Sequence, residues 1–89
     1  MADPKKFVVF AYSSGPPVPM VFYHKDVTVL KTIRSASTAG TTPGAKIVRL
    51  NDPNGLLSSF VMQLVEITVK GDQLHEGSYV TSAVAYAAP

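Results

Sequence analysis

The alternation of apolar and polar positions divides the chain into six short runs, and the longest, LLSSFVMQLVEITVK at residues 56–70, is the expected anchor of the core. Read as a helix, it puts Leu57, Phe60, Val61, Leu64 and Val65 on one stripe, with Asp52 and Pro53 as an N-cap and first-turn pair and Gly71 as a stop. Read as a strand, it puts Val61, Val65, Ile67 and Val69 on one side and Phe60, Met62, Leu64, Glu66, Thr68 and Lys70 on the other. The β-branched cluster Val65, Ile67, Thr68 and Val69 decides for the strand, because each of these residues loses rotamer freedom in a helix. A strand is therefore expected from about Ser59 to Lys70, and Asp52–Pro53 allows one helical turn over residues 53–58.

The segment GDQLHEG at residues 71–77 is bracketed by glycines and leads into SYVTSAVAYA, which predicts a hairpin. In the returning strand Val80, Ser82, Val84 and Tyr86 alternate with Tyr79, Thr81, Ala83 and Ala85. Neither side is charged, and one is built of small residues that can lie close against another surface.

Earlier in the chain, KKFVVFAY predicts a first strand that is apolar on both sides and therefore covered on both. Residues 13–19, SSGPPVP, form a Pro-rich connector, because Pro16, Pro17 and Pro19 remove backbone donors. MVFYH predicts a second strand, HKD a turn, and VTVLKTIR at 27–34 a third strand with Val27, Val29 and Ile33 on one side. Residues 35–45, SASTAGTTPGA, lack any large apolar side chain and read as a flexible exposed loop. KIVRL is a fourth strand and NDPNG a turn. The expected fold is all-β: a single domain over residues 1–89, a small β-barrel or sandwich of about six short antiparallel strands.

Composition sharpens this picture in two ways. With no cysteine and only His24 and His75 as soft ligands, neither a disulfide nor a stapling zinc site is expected. Charged residues are 16% of the chain and hydrophobic ones 46%, which leaves little polar material to cover a small globule. The usual resolution is burial against another subunit. No secretion signal is expected, since MADPKK is followed by a short strand-like run, and the apolar 56–70 run is broken by Ser58, Ser59, Gln63 and Glu66, so no membrane span is expected.

Candidate chemistry is sparse. GTTPGAK at residues 40–46 departs from a phosphate-binding loop at three points: three residues separate the glycines, Ala45 precedes Lys46, and Ile47 stands where the hydroxyl belongs. His24 and His75 sit beside turns with Asp26 and Glu76 near them, the usual setting of a solvated histidine. No serine lies in a nucleophile elbow. No enzymatic activity and no cofactor are expected.

Two binding readings remain. Tyr12 and Tyr23 together with Lys25, Lys31, Arg34, Lys46 and Arg49 make up a candidate single-stranded nucleic-acid surface on a small β-barrel, although the net charge is only +2. The leading expectation is a non-catalytic structural or assembly module, a homo-oligomer or a partner of other structural subunits, located in the cytoplasm or a virion. Its candidate interface residues are Val18, Val21, Tyr23, Tyr79, Val80, Val84 and Tyr86, through β-edge pairing or face packing. In general composition the chain resembles small bacteriophage or viral structural proteins, such as capsid decoration or coat subunits; no motif carries that likeness.

Overall fold

The computed structural model describes residues 6–13, 15, 17–71 and 73–87. The expectations for Lys5, Ser14, Pro16, Asp72, Ala88 and Pro89 lie outside these residues. The described chain forms β1 (Lys6–Ser13), β2 (Met20–Tyr23), α1 (Val27–Leu30), α2 (Ala36–Thr41), β3 (Lys46–Arg49), β4 (Gln63–Val69) and β5 (Val80–Ala85). The five strands make one antiparallel sheet in the order β3-β2-β1-β4-β5. The fold is mostly sheet, as the apolar alternation predicts, but it is not a closed barrel.

β1 stands at the centre because both of its sides are apolar. Phe7, Val9 and Ala11 face one layer with Val21, Val48, Val65, Ile67, Val69 and Val80, and onto this layer fold Leu50, Leu57 and Leu74 from the segments outside the strands. Val8, Phe10 and Tyr12 face the other layer, where Phe22, Leu30, Ile33 and Ala39 complete a second cluster. Phe10 and Phe22 stack at 6.0 Å, and both are fully buried. The core is thus two thin layers on either side of β1, each closed by irregular or helical chain rather than by a second sheet.

The expected third strand is a helical turn. Asp26 accepts from the Thr28 N–H with its carboxylate, an N-cap that starts α1, and Lys31, Thr32 and Ile33 continue the turn with bonds to Val27, Val29 and Leu30. Burial falls on Leu30 and Ile33, three residues apart, while Thr28, Lys31 and Arg34 face solvent. The β-branched residues that suggested a strand are outweighed here by the cap and by this three-residue burial pattern.

Residues 35–45 likewise are not a flexible loop. Ser35 caps α2 by accepting from the Thr38 N–H, and Ala39 is buried against the sheet layer. Thr41 and Thr42 hydroxyls donate back to the carbonyls of Ser37 and Thr38. Small side chains let this helix settle beside β3 without a large apolar face.

β4 begins at Gln63 rather than Ser59, because the preceding chain is held in successive turns. Asp52 is fully buried, and its two carboxylate oxygens accept from the N–H groups of Leu56 and Leu57 at 2.9 and 3.0 Å. Gly55, Ser58 and Phe60 add i→i−3 bonds, so the helical turn allowed over 53–58 takes the form of chained turns. Met62 then takes a positive φ of 60° and donates to the Ala11 carbonyl, which seats the chain on β1 as β4 begins. The Pro-rich connector is pinned rather than free: the Pro17 and Pro19 carbonyls accept from Asp52 and Leu50.

Candidate interaction surface

The two edges of the sheet are built differently, and the difference defines the candidate surface. At the β3 edge, the Arg49 N–H donates to Glu76 Oε1 at 2.8 Å and the Arg49 carbonyl accepts from the Gly77 N–H at 2.7 Å. The chain continues to Asn51, whose N–H donates to the Ser78 carbonyl and whose carbonyl accepts from the Val80 N–H, a parallel bridge to Tyr79. Residues 76–80 therefore cover the Arg49 end of this edge and tie the end of β3 to the start of β5, so the sheet curls toward closure at one end. The Arg49 guanidinium meets the Glu76 carboxylate at 3.3 Å, and the Glu76 pKa is lowered chiefly by the hydrogen bond from the Arg49 backbone.

β5 is the other edge. The Tyr86 N–H donates to Leu64, and the register pairs Val84 with Glu66 and Ser82 with Thr68. By the alternation of an antiparallel ladder, the N–H and C=O of Ala83 and Ala85 point away from β4, with no described strand beside them. A bulge between Thr68 and Val69 breaks the alternation near Thr81, whose hydroxyl donates back to the Thr68 carbonyl. The Ser82 hydroxyl donates to Thr68 Oγ1, which holds β5 flat against β4. The open part of the edge carries alanines, a valine and a serine, without charge or proline.

The sheet face beside this edge is only partly covered. Val8, Glu66 and Val84 lie in one cross-strand row, and α1 and α2 cover the β1, β2 and β3 side but not this end. Val84 is 55% exposed, the highest value among the exposed large apolar side chains. Glu66 pairs with Lys6 at 3.9 Å, an exposed contact that contributes little. Val61 and Met62, both exposed, stand in the turn that leads into β4, at the same end of the sheet as Tyr86.

The expected interface residues are divided by this arrangement. Val84 is exposed on the open side, and Tyr86 is half-buried beside it. Val18 is exposed but belongs to the connector. Val21 and Val80 are core residues, so their side chains are not available to a partner; their period-two positions face inward because Val48 and Val69 oppose them across the sheet. Tyr23 packs edge-on against Phe7 at 5.8 Å, and Tyr79 is covered by Lys70, whose ammonium sits 4.6 Å from the ring centre. Sequence reading missed Ile47, Val61 and Met62 as exposed apolar positions. The polar neighbours Lys46, Arg49 and Gln63 are the only signal that these residues stand near the surface.

The candidate nucleic-acid residues do not share a face. Tyr12 stacks on Phe22 at 4.8 Å in the layer beneath α1 and α2, whereas Tyr23 lies in the opposite layer. Lys25 and Lys31 flank α1, and the Arg34 guanidinium covers the Phe10 ring at 5.3 Å. Lys46 and Arg49 sit on β3, where the register directs their side chains to opposite sides of the sheet, and Arg49 is engaged by Glu76.

His24 and His75 serve local structure. The Asp26 N–H donates to His24 Nδ1 at 2.9 Å, so Nε2 carries the proton and donates to the Pro43 carbonyl at 3.1 Å. This ring latches the start of α1 to the end of α2, and Gly44, at φ 81°, passes so close that a Cβ would stand 3.2 Å from Nε2. His75 Nδ1 donates to the Glu76 carbonyl. Among the described residues no cluster of His, Asp and Glu is arranged to hold a metal, and no ligand-sized pocket opens. No helix among them is long and apolar enough to cross a membrane. Comparison with protein-family models, with curated proteins and with solved structures gives no match.

Proposed function

We propose that this chain is a non-catalytic assembly module that joins protein partners through the β5 side of its sheet. It acts as a self-associating subunit or as a component that decorates a larger assembly, of the kind found among phage and virus structural proteins, in the cytoplasm or within a virion. The observation that carries this reading is the open part of the β5 edge: beyond the Asn51 bridge to its first residue, the outward backbone groups of Ala83 and Ala85 meet no described strand, beside an exposed valine and an incompletely covered sheet face. Unpaired strand edges recruit further strands, and natural proteins that need to remain single protect them with charge, proline or covering chain. β3 has charge and cover at Arg49, whereas the Ala83–Ala85 part of β5 has neither.

The charge deficit of the whole chain points the same way, since a globule short of charged residues gains from burying part of its surface. Single-stranded nucleic-acid binding has less support, because the aromatic and basic residues that would carry it are spread over both faces. Multi-angle light scattering across the micromolar range tests the assembly reading. A mass that rises to a defined multiple of the 9.5 kDa chain is the expected result, and a single-chain mass at every concentration overturns it.

A further inference from the structure

We infer that the partner of β5 is β5 of a second copy of this chain, paired antiparallel about a two-fold axis at Val84. The inference rests on the assembly reading above and names its partner. Outward-facing residues must meet outward-facing residues across such an axis, which excludes axes lying between residues, and within the open part of the edge leaves Ala83, Val84 or Ala85. An axis at Ala83 sets Ala85 against Thr81, which sits in the bulge with its hydroxyl tied back to Thr68. An axis at Ala85 sets Ala83 against Ala87, beyond the end of the strand. An axis at Val84 sets Ala83 against Ala85 of the second copy and Ala85 against Ala83, so every outward N–H and C=O of the open edge finds a partner.

The same register brings the two Val84 side chains together as a non-hydrogen-bonded pair, the arrangement in which cross-strand side chains approach most closely. It covers the most exposed of the large apolar side chains with its own copy. Charge argues for a second copy over an unrelated strand. A two-fold axis sets residues near it against the same residue types, so any charge there would face its own sign, and residues 77–87 carry none. An edge designed for a different partner has no such restriction and gains specificity from charge. The paired strands alone make a small interface, so a monomer–dimer equilibrium with its midpoint inside the micromolar range is expected.

The absence of cysteine from the chain makes single-cysteine variants clean reporters. In the inferred register Val84→Cys meets its own copy at a separation suited to a disulfide, whereas Ser82→Cys is offset and faces Tyr86 of the second copy. Under mild oxidation, at a concentration where the unmodified chain scatters as a dimer, Val84→Cys should form linked dimer at least about tenfold faster than Ser82→Cys. A mixture of Ser82→Cys and Tyr86→Cys should link across the pair. If the chain associates but Ser82→Cys alone links as fast as Val84→Cys, the two-fold register is overturned while the assembly reading stands. A chain that scatters as a monomer throughout overturns both. Val84 is exposed and makes no polar contact, so the variant is expected to keep the far-ultraviolet spectrum of the parent.

Discussion

The two edges of this sheet have the same backbone chemistry and opposite fates. β3 is four residues long, carries Lys46 and Arg49, and has the N–H and C=O of Arg49 occupied by Glu76 and Gly77. β5 presents alanines with their backbone groups turned outward. The contrast shows that protection of a strand edge is local and is supplied by identifiable neighbours. Residues 76–80 close the end of β3 at Arg49 and the start of β5 at Val80, and the same strand is left open from Ala83 onward.

The contrast can be broken most severely at Asp52. This buried carboxylate fixes the chain just after the bridge that covers the β3 side, and Asp52→Ala leaves the N–H groups of Leu56 and Leu57 without acceptors. A loss of about 2–4 kcal/mol in urea unfolding is expected from one buried and one half-buried donor left unsatisfied. A change below about 0.5 kcal/mol would mean that water or a shifted turn satisfies them.

A sharper instrument is Ala83→Pro. Its N–H faces outward, so the substitution removes a donor from the open edge without removing a bond to β4. Monomer stability should change by no more than about 1 kcal/mol while the light-scattering mass falls to a single chain. Val84→Pro, in contrast, removes an inward donor and should unfold the edge itself. If Ala83→Pro leaves the mass unchanged, the edge is not the contact.

At the protected edge, Glu76→Ala removes the acceptor of the Arg49 N–H and should destabilise the chain less than either change above, since the contact is exposed and screened by solvent. Its more informative effect is on association, because it frees the Arg49 N–H beside the outward groups of Ile47, and masses beyond the parent oligomer are expected. Acid acts on the same contact. The Glu76 pKa is lowered in the folded chain, so its contribution is present above the unfolded glutamate value and is lost as pH falls through the lower folded value. A slight fall in unfolding midpoint over that window, absent in Glu76→Gln, checks the sign.

The strands were legible in the sequence wherever apolar alternation was unbroken. The runs at β1, β2, β3, β4 and β5 are each visible as such, and the hairpin from β4 to β5 follows from the glycine-bracketed turn between them. α1 was not legible because Val27, Thr28, Val29 and Ile33 favour a strand, and the Asp26 cap that reverses the outcome looks like an ordinary turn residue. α2 was hidden by its composition, since only Ala39 is buried and no large side chain marks a face. For the interaction surface, period-two alternation assigns residues to sides but does not say which side is core. Val80 and Val84 look equivalent in sequence, yet the bulge between Thr68 and Val69 turns the first inward and leaves the second outside. The positive φ of Met62 has no sequence signal, because nothing in the residue type favours it.

The cover that Glu76 and Gly77 place over β3 also sets how far sheet growth can proceed. Joining two copies through β5 uses the open part of that edge, and among the described residues the cover on Arg49 leaves only the Ile47 stretch of β3 from which a ribbon or a cross-β filament could propagate. A larger architecture built from such pairs draws on side-chain faces, and the exposed Val18, Ile47, Val61 and Met62 are apolar residues placed to supply them.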